Sequence, residues 1–145
     1  YIPSLKSNQS SGYAAAVETP VAEAPAPAPS KSVGEKVLEA ARSAVGSPYV
    51  YGANGPSAFD CSGLTSWAYR QAGVDIPRTS QEQASAGTPV SLDALQPGDI
   101  IAYYGGASHV GIYTGRGTII DALNSGVPVQ ERDLNYMPIH SAVRF

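Results

Sequence analysis

Apolar and polar positions change their spacing partway along the chain. In the stretches that follow Ser32 and Cys61 apolar residues recur every three or four positions, the period of amphipathic helices; from Asp99 onward they come in short, dense runs. Ser32-x-x-Glu35 is a capping-box pattern that opens a first helix, with Val37, Leu38, Ala41 and Val45 as its apolar stripe and Gly46 with Pro48 ending it. A second helix follows Cys61, placing Leu64, Trp67, Ala68 and Ala72 on one face and stopping at Gly73. Thr79-x-x-Glu82 opens a short third helix that ends at Gly87. Between the first two lie an extended segment, Pro48-Tyr49-Val50-Tyr51-Gly52, and a loop rich in Gly, Asn and Pro.

The runs after Asp99 are rich in β-branched and aromatic residues, and Gly or Pro separates most of them. They read as strands over Asp99–Tyr104, Ser108–Thr114, Thr118–Leu123, Val127–Arg132 and Ser141–Phe145. Helices first and antiparallel strands afterwards define an α+β fold, with N-terminal helices packed on an antiparallel β-sheet.

Composition divides the chain near Lys31. Residues 1–31 read as a tail or linker: Val21 to Pro29 alternates Ala and Pro, which favours a stiff, extended spacer, and the first dozen residues are mostly polar. Tyr1, Ile2 and Leu5 are candidate anchors that pack on the folded part. Residues 32–145 form the second unit, long enough to bury a core. The chain begins at Tyr1 and shows no charged segment followed by an apolar stretch, so it is expected to be a processed mature protein or an excised fragment.

A net charge of −3 and a pI near 5.2, with no basic patch, argue against nucleic acid as a partner. No apolar run is long enough for a membrane span. A single cysteine cannot form an internal disulfide, and a leftover thiol in an exported protein is a candidate reactive group.

That cysteine, Cys61, sits in Phe59-Asp60-Cys61-Ser62-Gly63 at the first turn of the second helix. Thiolates are the working nucleophiles of cysteine hydrolases, and the partly positive end of a helix favours the anion. The competing reading is a small packing residue with weak S–H chemistry. Downstream, His109 and Asp121 flank Gly115-Arg116-Gly117, a candidate hairpin connection. With a three-residue loop Thr114 opposes Thr118, and Asp121 becomes the diagonal neighbour of His109 on the same face, about 7–8 Å away at the backbone. With a two-residue loop Asp121 turns to the other face. In the even register His109 can take the thiol proton and return it to a leaving amine, while Asp121 accepts the other ring N–H.

Gly46-Ser47-Pro48-Tyr49-Val50-Tyr51-Gly52, Phe59-Asp60-Cys61-Ser62-Gly63-Leu64, Pro77-Arg78-Thr79-Ser80, Gln96-Pro97-Gly98-Asp99-Ile100-Ile101 and His109-Val110-Gly111-Ile112-Tyr113 occur in that order. Over roughly residues 34–145 this resembles the NlpC/P60 cysteine peptidases of bacterial cell walls, and the Ala/Pro spacer looks like those of exported mycobacterial and corynebacterial relatives. The resemblance implies a papain-like core and a catalytic set of Cys61, His109 and Asp121. It implies hydrolysis of peptidoglycan stem peptides between D-γ-glutamyl and diaminopimelate or lysine. In the family the third position is usually His, Asn, Gln or Glu, and the shorter Asp121 can serve only if the backbones come closer.

The resemblance also implies that Tyr51 reaches the nucleophile or a substrate carboxylate, that Asp60 and Ser62 hold a substrate amino group, and that Arg78 and Ser80 line the same groove. Asp60 reads equally as a helix cap and Arg78 as a surface arginine. The Cys61 N–H is the first candidate oxyanion donor. His140 has no motif around it and reads as structural or exposed. No cofactor and no metal are implied. The expected protein is a monomer acting on stem peptides, secreted or in the cell envelope, associated with cell division and tethered through its N-terminal segment. The alternatives are a non-catalytic wall-binding module, a thiol amidase or acyltransferase on the same fold, and metal binding by Cys61, His109, Asp121 and His140.

Overall fold

The computed structural model describes residues 32–145, so the expected docking of Tyr1, Ile2 and Leu5 lies outside the described residues. Three helices come first: α1 (Val33–Ser43), α2 (Cys61–Gln71) and α3 (Ser80–Ala86). Six strands follow: β1 (Thr88–Pro89), β2 (Ile100–Tyr103), β3 (His109–Tyr113), β4 (Thr118–Asp121), β5 (Gln130–Asp133) and β6 (Ile139–Arg144). They form one sheet in the order β1-β6-β2-β3-β4-β5, with every pair antiparallel. The α+β architecture expected from the change in periodicity is the one observed. No helix among the described residues is long and apolar enough to cross a membrane.

The helices start where the capping residues place them. Ser32 and Glu35 close a reciprocal capping box, each side chain accepting from the other's backbone N–H at 3.1 Å. Thr79 accepts from the Glu82 N–H. α1 ends at Ser43, short of Val45, which is exposed. There the chain turns at Gly46, whose φ of +95° suits glycine, and its N–H donates to Val129 O at 2.8 Å. Val129 in turn donates to Ser47 O. That bond diverts Val129 from the sheet and explains why β5 begins at Gln130 instead of Val127. β4 likewise ends at Asp121, two residues earlier than the apolar pattern suggests. β6 starts at Ile139 through a bulge opposite Ala102 and Tyr103, and the two-residue edge strand β1 carries no periodicity to read.

Alternation along the strands separates two apolar clusters. Ile100, Ala102, Val110, Ile112 and Ile120 pack with Val37, Ala41, Leu64 and Ala68 of α1 and α2. Ile101, Tyr103, Ile119 and Ala142 face the other way and pack with Met137, Leu134 and Ile139. α2 lies against β3, and α1 lies against α2. Burial of large apolar side chains at roughly 25 cal/mol per Å² is the main force holding the helices to the sheet.

Candidate active site

Cys61 is the first residue of α2 and is half-buried. Asp60 caps the helix: its Oδ1 accepts from the Gly63 N–H at 2.6 Å and its Oδ2 from the Gly52 N–H at 2.9 Å. The loop before α2 crosses the first helical turn so closely that a Cβ on Gly63 would stand 2.0 Å from the Ala53 carbonyl oxygen. Gly63 is therefore required by a backbone crossing, which fixes the loop carrying Tyr49 and Tyr51 against the Cys61 end of the helix.

The β3–β4 hairpin adopts the even register. Ile112 pairs with Ile120 and Tyr113 with Ile119, the Thr114 N–H donates to Thr118 O at 3.0 Å, and Gly117 closes the loop at φ +80°. His109 and Asp121 consequently share a face, and His109 Nε2 lies 2.6 Å from Asp121 Oδ2. Gly111 sits between them: a Cβ there would be 3.3 Å from the Asp121 Cβ. Absence of that side chain permits the close approach that a short carboxylate needs.

His109 and Asp121 are both buried. Burial alone favours the neutral imidazole, but hydrogen bonds with the side chains of Asp121 and Cys61, together with their charges, outweigh it and raise the His109 pKa to about 9. With Nε2 committed to Asp121, Nδ1 is the nitrogen left for the thiol. The structure thus brings together a thiol at a helix N-terminus, an imidazole and a carboxylate.

A cleft of about 440 Å³ opens over Cys61, and Tyr49, Tyr51, Asp60, Ser62, Arg78 and Ser80 are among its lining residues. Arg78 does not reach freely into it: Nη1 donates to Ser62 Oγ at 2.7 Å and Nη2 to Asp60 Oδ2 at 3.1 Å. Ser62 and Ser80 are buried in the cleft wall. Gln83 supports this wall from beneath, its amide donating to the carbonyls of Ser62 and Pro77 while its oxygen accepts from Thr65. Tyr51 stands at the rim, 88% exposed. The tyrosine coupled to Cys61 is Tyr49, whose hydroxyl pKa is raised first by burial and then by the charges of Cys61, Asp60 and Tyr51. His140 is exposed and bonded to Ser141, apart from these groups.

Two residues of the arrangement, Tyr49 and Arg132, are given no role by the motifs. Tyr49 and Tyr51 lie two apart in a segment read as extended, yet only Tyr49 is held in a bridge to Phe59, while Tyr51 falls in the turn that follows. Arg132 in β5 donates from Nε to Asp121 Oδ1 at 2.6 Å with its side chain 8% exposed. An arginine in a strand reads by default as part of a solvated face.

The NlpC/P60 family model matches residues 46–143, more than half of the chain, and the chain belongs to the NlpC/P60 family. It is 60% identical over 146 residues to a protein of Corynebacterium glutamicum (strain R) described as a probable endopeptidase, covering 100% of this chain and 69% of that protein. A probable endopeptidase of Mycobacterium tuberculosis is 46% identical over 110 residues, covering 75% of this chain and 29% of that protein. Among solved structures, the NlpC/p60 domain of the peptidoglycan hydrolase SagA superposes with a TM-score of 0.70 at 34% identity, covering 77% of this chain and 98% of that domain.

Proposed function

We propose that this NlpC/P60 member is a cysteine endopeptidase that hydrolyses peptidoglycan stem peptides, cutting between D-γ-glutamate and diaminopimelate. The observation that carries the reading is the buried His109–Asp121 pair, whose imidazole pKa is raised also by Cys61, a residue that lines an open cleft. The relatives described as probable endopeptidases and the likeness to a peptidoglycan hydrolase support the substrate class.

In this mechanism His109 Nδ1 holds the proton given up by Cys61 Sγ, and Asp121 fixes the ring through Nε2. Sγ attacks the γ-glutamyl carbonyl carbon. The developing oxyanion is met by the backbone N–H of Cys61. The Gly63 and Leu64 N–H groups are engaged by Asp60, so the donors of the first helical turn that remain are those of Cys61 and Ser62. His109 then protonates the leaving amine, the C–N bond breaks, and a thioester to Cys61 remains. Water, deprotonated by His109, attacks that thioester and releases the γ-glutamyl carboxylate, with the proton returning to the Cys61–His109 pair.

The Arg78–Asp60–Ser62 cluster and Ser80 would bind the charged ends of the stem peptide, with Tyr49 and Tyr51 flanking the scissile bond. No cofactor takes part in any step. The enzyme would work as a secreted monomer in the cell envelope, with residues 1–31 as its tether and wall remodelling at cell division as its setting. Digestion of defined muropeptides, with new termini identified by mass spectrometry, tests this. Release of a peptide with a free diaminopimelate amino group supports it. Cleavage between sugar and peptide, or acyl exchange without hydrolysis, would instead indicate an amidase or an acyltransferase. Binding without any product would indicate a wall-binding module.

A further inference from the structure

Four charged or chargeable groups line up through the interior from α2 across three strands: Cys61, His109, Asp121 and Arg132. The third is fully buried, with one oxygen on the imidazole and the other on the guanidinium, each at 2.6 Å. β5 pairs Ile119 with Arg132 and Asp121 with Gln130, so Arg132 is the diagonal cross-strand neighbour of Asp121 on the same face. Tyr136, in the turn after β5, places its ring 5.2 Å from the guanidinium carbon, giving Arg132 a second favourable contact through the ring face. Among the described residues, Tyr103 of β2 also packs on His109, its ring 5.9 Å away and its hydroxyl bonded to Leu134 O.

Stability alone does not account for this arginine. A buried ion pair roughly breaks even against an apolar pair of the same shape. Here it also leaves Arg132 Nη2 buried without a hydrogen-bond acceptor among the described residues, a cost of about 1–3 kcal/mol. What the arrangement does provide is a counter-charge on the far side of Asp121. When the imidazolium of His109 gives up its proton, Asp121 is left as a buried anion, and among the described residues Arg132 is the cation in contact with it.

We propose that Arg132 is a positioning residue of this site: it locks Asp121 by its outer oxygen, offsets its charge, and thereby sets the pH at which His109 releases its proton. Without Arg132 the same carboxylate would hold the imidazolium proton more tightly, and His109 would be a poor base for activating water in the second half of the reaction. The inference deepens the proposed mechanism and rests on it for its catalytic meaning. The physical link from Arg132 through Asp121 to His109 stands without it.

The test is an NMR titration of the His109 ring in the wild type, Arg132→Gln and Arg132→Lys, paired with turnover of muropeptides. Gln keeps a donor to Asp121 and loses the charge; Lys keeps the charge and loses the planar fork. The His109 titration is expected to move up by about one pH unit in Arg132→Gln, and to stay within about 0.3 unit of wild type in Arg132→Lys. The rate constant kcat should fall roughly tenfold in Arg132→Gln with KM within about twofold, and recover in Arg132→Lys. A titration that stays in place or moves down in Arg132→Gln overturns the proposal, as does an Arg132→Lys variant no better than Arg132→Gln. Should Arg132→Gln not fold, the wild type decides: the Arg132 Nε–H resonance must shift through the His109 titration, and a flat response overturns the link. A wild type that titrates as expected yet cleaves no muropeptide would refute the proposed function and leave the link standing.

Discussion

Replacing Asp121 with Asn removes the charge beside His109 with little change in shape, and the consequence for stability should depend on pH. In the folded chain burial works against the imidazolium, yet Asp121 and Cys61 hold its pKa at about 9, against 6.5 for a solvated histidine. Below about pH 6.5 both folded and unfolded chains carry the proton, and the stabilisation is fully present. Between 6.5 and about 9 only the folded chain keeps it, so stability falls as pH rises, and above that range the contribution is gone. At about 1.4 kcal/mol per pH unit this window is worth about 3 kcal/mol, undiminished by solvent screening because the His109 side chain is only 6% exposed. Part of that sum belongs to Cys61. In Asp121→Asn the contribution of the carboxylate is lost, burial is opposed by Cys61 alone, and this decline with pH should become shallower. Urea unfolding of both proteins under reducing conditions at about pH 6, 7.5 and 9.5 reads the two slopes. Asp121→Asn will be less stable at every pH because Arg132 loses its partner, so the slope and not the offset carries the information. Equal slopes for the two proteins would refute the assignment of the His109 shift to Asp121.

The same titration appears in catalysis: turnover of muropeptides by the wild type should fall on the alkaline side with a midpoint near pH 9, as His109 loses the proton it must give to the leaving amine, and a rate still rising beyond pH 10 would contradict this. Asp60→Ala strips α2 of its cap and leaves the Gly52 and Gly63 N–H groups without their acceptor. It should cost about 1–2 kcal/mol by thermal or urea unfolding, and no loss would show that the cap is dispensable. Gly63→Ala drives a methyl group to 2.0 Å from the Ala53 carbonyl oxygen. It should destabilise by about 1–3 kcal/mol and lower activity by moving the Tyr49 loop off Cys61, both read on the purified variant.

Much of this site was legible because its parts obey local rules. Asp60 before an apolar helical stripe announces a helix N-terminus, and that alone places Cys61. Gly115-Arg116-Gly117 between two β-branched runs marks a hairpin with a two- or three-residue loop, and the three-residue register that forms puts His109 and Asp121 on one face. What escaped depends on contacts between distant segments. Arg132 meets Asp121 only because β5 pairs beside β4 after the 122–129 connection, whose path is set by the Val129–Ser47 and Gly46–Val129 bonds to the end of α1. The same bonds cut the expected strand at Val127 short. Tyr49 and Tyr51 have the same parity in the sequence, but Tyr49 is held in a bridge to Phe59 while Tyr51 sits in the turn closed by the Ala53 N–H on Val50 O. Arg78 in the motif Pro77-Arg78-Thr79-Ser80 reads equally as a groove residue and as a surface arginine, whereas the fold supplies it with Asp60 and Ser62 as partners.

Cys61 Sγ is the atom that attacks the substrate in the proposed mechanism. Cys61→Ala removes one sulfur from a half-buried position and keeps the helix cap, so the variant should fold as the wild type does. The direct measurement is muropeptide hydrolysis by wild type and Cys61→Ala, with intact-protein mass spectrometry on samples quenched in acid. The expected result is a wild type that releases new amino termini and carries a γ-glutamyl thioester at Cys61, beside a folded variant that does neither. Hydrolysis by Cys61→Ala at the wild-type rate would contradict it.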